Sequence, residues 1–166
     1  MALFYSWHSD THSSKLLDKY VSNAVKKLGE LKYTIDYYKY PCEDKSGSPD
    51  IVEILFDKIR NCDCFIADLS PVGKYRCNND KYKNVYNANV LMELGYALSC
   101  LDQRQIIICS DDFDNMPFDV RNYRISSISS CKDNLHMYII KCFEHKSIIH
   151  YLKKCDIYVN YVVVVE

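Results

Sequence analysis

The sequence predicts an α/β fold: a flavodoxin-like open parallel sheet of about five strands, in the order 2-1-3-4-5, with helices on both faces. Three observations predict it. Short β-rich runs alternate with amphipathic helical stretches along the chain. Two of the runs, Cys64 to Ala67 and Gln105 to Cys109, are almost continuously apolar, as in strands covered on both faces. No internal repeat or Pro/Gly-rich linker interrupts the alternation, so residues 1–166 read as a single domain.

Leu3 to Trp7 form the first strand, ended by polar His8, Ser9 and Asp10. From about Thr11 to Leu28, apolar residues Leu17, Val21, Ala24 and Leu28 recur at three- and four-residue steps, with Gly29 as a C-terminal stop; this is the first helix. Tyr33 to Tyr38 are β-branched and aromatic, a second strand that ends in a polar loop from Pro41 to Gly47. Ser48, Pro49 and Asp50 supply an N-cap, a proline at the first helical position and an acid in the first turn of a second helix carrying Val52, Leu55, Phe56 and Ile59. Cys64 to Ala67 make the central third strand, ended by Asp68 and Ser70-Pro71. Residues 71–86 are the least regular and read as a long loop, with Lys74, Arg76, Lys81 and Lys83 interleaved with tyrosines. A third helix from about Ala88 to Leu101, a fourth strand at Gln105 to Cys109, a short fifth strand at Tyr123 to Ser126 and a helix from about Lys132 to Lys154 complete the alternation. The tail from Tyr158 to Val165 reads as an edge strand or a loose end.

Composition bounds the function. The 166 residues carry 21 Lys+Arg against 22 Asp+Glu, with 48% hydrophobic and 26% charged residues, which fits one globular domain and excludes low-complexity chains. No basic run supplies the electrostatic footprint of nucleic-acid binding, so no nucleic-acid partner is expected. Apolar runs are far too short to cross a bilayer, and the first residues lack the basic and apolar regions of a secretory signal; the expectation is a cytoplasmic chain with no membrane partner. Nine cysteines, an odd number partly inside strand-like runs, read as reduced thiols. No CxxC occurs and the five histidines make no paired zinc spacing with the cysteines, so no metal is expected. His8 and His12 read as surface residues, and Cys64 and Cys109 as core thiols.

In this topology a ligand binds at the switch point, outside the carboxyl ends of strands one and three. That brings Ser6, Trp7 and Asp10 beside Asp68. The third helix begins on the same rim, and its Asn89 and Glu93, four residues apart, share one face away from Leu91, Leu94 and Leu98. A carboxylate therefore points at the crevice.

The segment Asn87-Ala88-Asn89-Val90-Leu91-Met92-Glu93-Leu94-Gly95-Tyr96-Ala97 resembles the N-x-N-V-x-x-E-L-G-Y-A segment of bacterial Toll/interleukin receptor (TIR)-like domains. Further similar segments follow in the expected order: Phe4 to Asp10 to the first strand and loop, Gly47 to Ile51 to the start of the second helix, Phe65 to Leu69 to the third strand, and Pro117 to Arg121. The set spans about residues 3–126. The resemblance implies an antiphage-defence enzyme that cleaves the nicotinamide N-glycosidic bond of NAD, as a glycohydrolase or cyclase. NAD is then the substrate and no further cofactor is implied. It also implies self-association through TIR–TIR contacts and a separate effector that senses the product. The nucleoside deoxyribosyltransferases are more distantly similar through an E-x-G-Y-A helix, which leaves a transferase or nucleotide N-glycosidase as an alternative; a non-catalytic TIR scaffold is a second.

Because nicotinamide in NAD is cationic, it departs as a neutral base, and the site must chiefly stabilise an oxocarbenium-like sugar. Under the resemblance Glu93 is the catalytic residue, holding the ribose or offsetting its positive charge, and Asn89 orients the sugar. Trp7 or Tyr5 offers a stacking surface, with Ser6 and Asp68 as secondary polar groups. The helix start at Ser48 can receive a pyrophosphate through free N–H groups, closed over by Lys74 or Arg76.

Overall fold

The computed structural model describes residues 1–39, 51–77, 81–117, 120 and 122–154, the side chains of 152–154 excepted. Ser48 and its capping motif, the Pro41 to Gly47 loop, most of the Pro117 to Arg121 segment and the Val-rich tail lie outside the described residues.

In chain order the elements are β1 (Ala2–Ser6), α1 (His12–Glu30), β2 (Asp36–Tyr38), α2 (Ile51–Asn61), β3 (Cys64–Asp68), β4 (Gly73–Arg76), β5 (Tyr82–Val85), α3 (Ala88–Cys100), a short 3-10 turn (Gln103–Gln105), β6 (Ile106–Cys109), β7 (Ile125–Ser126) and α4 (Ile128–Lys154). The main sheet is parallel throughout and runs β2-β1-β3-β6-β7, the predicted order once β4 and β5 are counted. Those two strands correct one expectation. Residues 71–86 are not an irregular loop but contain an antiparallel hairpin in which Gly73 faces Val85 and Arg76 faces Tyr82. Both strands are largely exposed, so the alternation that betrays a half-buried strand is missing from their sequence.

Strand alternation sorts the core into two layers. Leu3, Tyr5, Cys64, Ile66 and Cys109 pack on one face with Leu17, Val21 and Leu28 of α1 and with Leu135, Ile139 and Phe143 of α4. Phe4, Phe65, Ala67 and Ile108 pack on the other with Leu55 and Ile59 of α2 and with Val90, Leu94 and Ala97 of α3. Phe4 and Phe65, paired in register across β1 and β3, stack with ring centroids 5.5 Å apart. Each helix thus covers the sheet with the stripe its periodicity predicts.

Helix ends show the local chemistry. Thr11 caps α1, its hydroxyl accepting from the Ser14 N–H at 3.1 Å. Gly29 does not stop this helix, which continues to Glu30; the reversal falls at Lys32, in the left-handed region at φ 65°, where the Tyr33 N–H reaches back to the Leu28 carbonyl at 3.0 Å. Asn87 caps α3, its side-chain oxygen accepting from the Asn89 and Val90 N–H groups at 3.0 and 3.3 Å. This cap sets where the Glu93 helix begins. The hairpin is fastened to the loop after β6: the Tyr86 hydroxyl donates to Asp112 at 2.6 Å, and Asn84 donates to the same carboxylate.

Candidate active site

The carboxyl ends of β1 and β3 and the start of α3 bring part of the predicted set together. Ser6, the last residue of β1, shares the sheet face of Phe4 and looks toward α3. Its side chain is buried, and its Oγ lies close enough to the Glu93 carboxylate to favour the charged form without completing a well-formed hydrogen bond. Glu93 is half-buried; desolvation raises its carboxyl pKa above the ordinary 4.5, and Ser6 offsets this only in part. Asn89 stands exposed one turn earlier on α3. Asp10 is exposed on the adjoining loop, its carboxylate accepting from the Asn87 side-chain amide at 3.5 Å. Ser6 and Glu93 therefore meet, with Asp10 on the loop beside the α3 cap and Asn89 one turn before Glu93 on the same helix.

The other predicted residues lie across the sheet. Tyr5 faces α1 and α4, is 1% exposed, and has no free ring surface for a base. Burial first, and then the Asp68 charge, push its phenol pKa upward. Trp7 packs on the same layer, near Tyr5 at 6.5 Å between ring centroids, and is capped by the Lys39 ammonium 4.0 Å from its ring centre. Lys39 also pairs with Asp18 at 2.6 Å, so the Trp7 face is already occupied. Asp68 is buried; one carboxylate oxygen accepts from the Ser70 N–H at 2.9 Å, capping the turn, while the other meets no hydrogen-bond donor among the described residues. Ser48 lies outside the described residues.

His8 corrects the expectation of a surface residue: it is 5% exposed. Its Nε2 donates to the Ser70 carbonyl at 3.2 Å, its Nδ1 accepts from the Asp10 N–H at 3.3 Å, and the Ser14 hydroxyl lies 2.8 Å from Nε2. This set ties the loop after β1 to the end of β3 and the first turn of α1. Serine, histidine and carboxylate meet here, yet Ser14 is fully buried and no substrate can reach it, so the network is structural. Nothing in the local sequence marks His8 as buried; it follows a strand end and precedes three polar residues. Cys64 and Cys109 are buried thiols, as expected.

A match to the model of the CAP12/Pycsar effector protein TIR domain covers residues 9–129. The chain belongs to this family of TIR effector domains. The matched stretch of the TIR domain runs from the loop after β1 to the start of α4 and includes Glu93. No curated protein sequence matches it. Among solved structures, a CMP N-glycosidase (BcmB) from Clostridium botulinum is similar at TM-score 0.49 and 17% identity, covering 83% of this chain and 99% of the other. The metal-soaked Flv1 flavodiiron core from Synechocystis sp. PCC6803 is similar at TM-score 0.44 and 11% identity over 89% of this chain and 36% of the other. Both lie below the level at which a shared activity follows.

Within the TIR domain, no three His, Cys, Asp or Glu side chains among the described residues are grouped to hold a metal ion. No helix among them is long and apolar enough to cross a membrane.

Proposed function

We propose that this TIR domain is an N-glycosidase that cleaves the nicotinamide–ribose bond of NAD and acts in antiphage defence. The observation that carries the reading is the Glu93 carboxylate, half-buried at the switch point against Ser6, in a chain of the TIR effector family. Nicotinamide leaves with the bonding electron pair and becomes neutral, so the sugar carbon acquires the positive charge. Glu93, ionised and partly desolvated, offsets that charge or holds the ribose hydroxyls where it develops; in a site of reduced polarity such a charge counts for more than in water. Asn89, on the same helix face, orients the sugar. Water attack at the sugar carbon releases ADP-ribose and a proton, whereas attack by a ring nitrogen of the adenine gives a cyclised product. The domain acts in the cytoplasm as an assembly formed through TIR–TIR contacts, and a separate effector senses the product.

Product analysis by mass spectrometry tests this. Concentrated protein incubated with NAD releases nicotinamide, and Glu93→Gln lowers the rate by about 10²–10⁴-fold, the range for loss of one electrostatic or acid–base group. Base exchange on deoxynucleosides with NAD left intact would instead identify a transferase. Silence toward both, at high concentration and with crowding agent, would leave a scaffold.

A further inference from the structure

A well-formed cleft lies away from Glu93. It measures about 550 Å³, within the ~300–1,000 Å³ of small-molecule sites, and opens between β6, the segment leading into β7, and α4. Its cause is a short edge strand: β7 pairs only with Ile108 and Cys109, so the first half of β6 has no strand beside it on that side. Ile106 and Ile107 form an apolar floor. The walls are cationic and aromatic, with Arg104, Arg124 and Lys141 at the rim, Tyr123 on the β7 side and Tyr138 on α4.

Charge singles this cleft out. The chain has a net charge of −1, yet the described lining residues include three fixed positive charges and no acid. Arg104 is tethered to Asp102 at 3.2 Å, and the same carboxylate lies 3.2 Å from His145, so one acid behind the rim is shared by two basic groups. Arg124 and Lys141 meet no acidic partner among the described residues. Cations left in reserve above an apolar floor and between two tyrosines suit a ligand with an anionic end and a flat ring.

We propose that this cleft is a second binding site, remote from Glu93, for a small organic phosphate bearing an aromatic ring, a nucleoside monophosphate in class. Arg124 and Lys141 hold the phosphate, with Arg104 in support, and the ring lies over Ile107 beside Tyr123 and Tyr138. Strand β3 separates β6 from β1, so occupancy here leaves the Ser6–Glu93 crevice open.

Calorimetric titration of the full chain with AMP, CMP, GMP and UMP tests the site. At least one is expected to saturate a single site, more weakly as salt is raised. The Arg124→Glu and Lys141→Glu double variant weakens that binding about tenfold or more, through loss of charge-assisted hydrogen bonds, while binding persists in Glu93→Gln. Both cations are on the surface, and thermal melting confirms that the double variant is folded. Photolabelling of the unsubstituted chain with azido-AMP gives an independent readout, with adducts expected on the segments holding Tyr123 and Tyr138. No binding of any of the four at millimolar concentration, binding indifferent to the double variant, or binding lost only in Glu93→Gln would each overturn the assignment.

Discussion

Glu93 owes its character to two opposed influences: partial burial favours the neutral acid, and the nearby Ser6 hydroxyl favours the carboxylate. Burial wins, so the folded-state pKa lies above the ordinary 4.5. A raised acid pKa means that the native state binds this proton more tightly than the unfolded chain. The resulting stabilisation is present below 4.5 and is lost as pH rises through the folded value. Replacing Glu93 by Gln removes that loss. Thermal melts of the two proteins should therefore diverge as pH rises above 4.5, with the Gln variant gaining relative to wild type. Catalysis needs the ionised form, so kcat/KM for nicotinamide release should climb with pH along a limb placed above 4.5. A limb at or below that value would show that burial does not govern this carboxyl.

At the scale of elements, α3 delivers Glu93, and Asn87 determines where α3 starts. Asn87→Ala leaves the Asn89 and Val90 N–H groups without their cap and should lower stability by about 1 kcal/mol in urea titration, whereas Asn87→Asp retains most of it. The start of α3 is readable in sequence because an Asn cap is a contact between near neighbours. The hairpin of β4 and β5 was not readable in the same way. Its strands are exposed, so no apolar side chain marks a buried face, and its hold on the molecule comes through Asp112, well over twenty residues away in sequence. His8 escaped for a related reason: its partners Ser70 and Ser14 are set by the approach of β3 and α1 to the end of β1.

For the molecule as a whole, the central pair of strands, β1 and β3, lies between the two core layers and contributes side chains to both. Phe65 is fully buried, stacked on Phe4 and enclosed by α2 and α3. Phe65→Ala leaves a cavity that its rigid surroundings cannot close, and should cost about 3–5 kcal/mol by urea titration. That is a large part of the ~5–15 kcal/mol typical of a domain. A loss below 1 kcal/mol would mean that the two layers repack independently of this ring.

The sequence by itself determined the succession of elements, the parallel sheet order and the helix that carries Glu93, because periodicity, capping and apolar runs are local properties. It also placed Ser6 and Asp68 at strand ends on the binding rim. Only the tertiary structure decided which side of the sheet each residue faces. Alternation separates Ser6 from Tyr5 and Trp7 without saying which set meets α3, and that choice follows from which helices cover which face. Ser6 joins Glu93, whereas Tyr5, Trp7 and Asp68 are committed to the opposite layer or to the turn beside it. The cationic cleft likewise comes into being only when a two-residue edge strand leaves β6 half uncovered and α4 lies across the gap. Neither arrangement is encoded in any one stretch of chain, because each is made by the packing of elements distant in sequence.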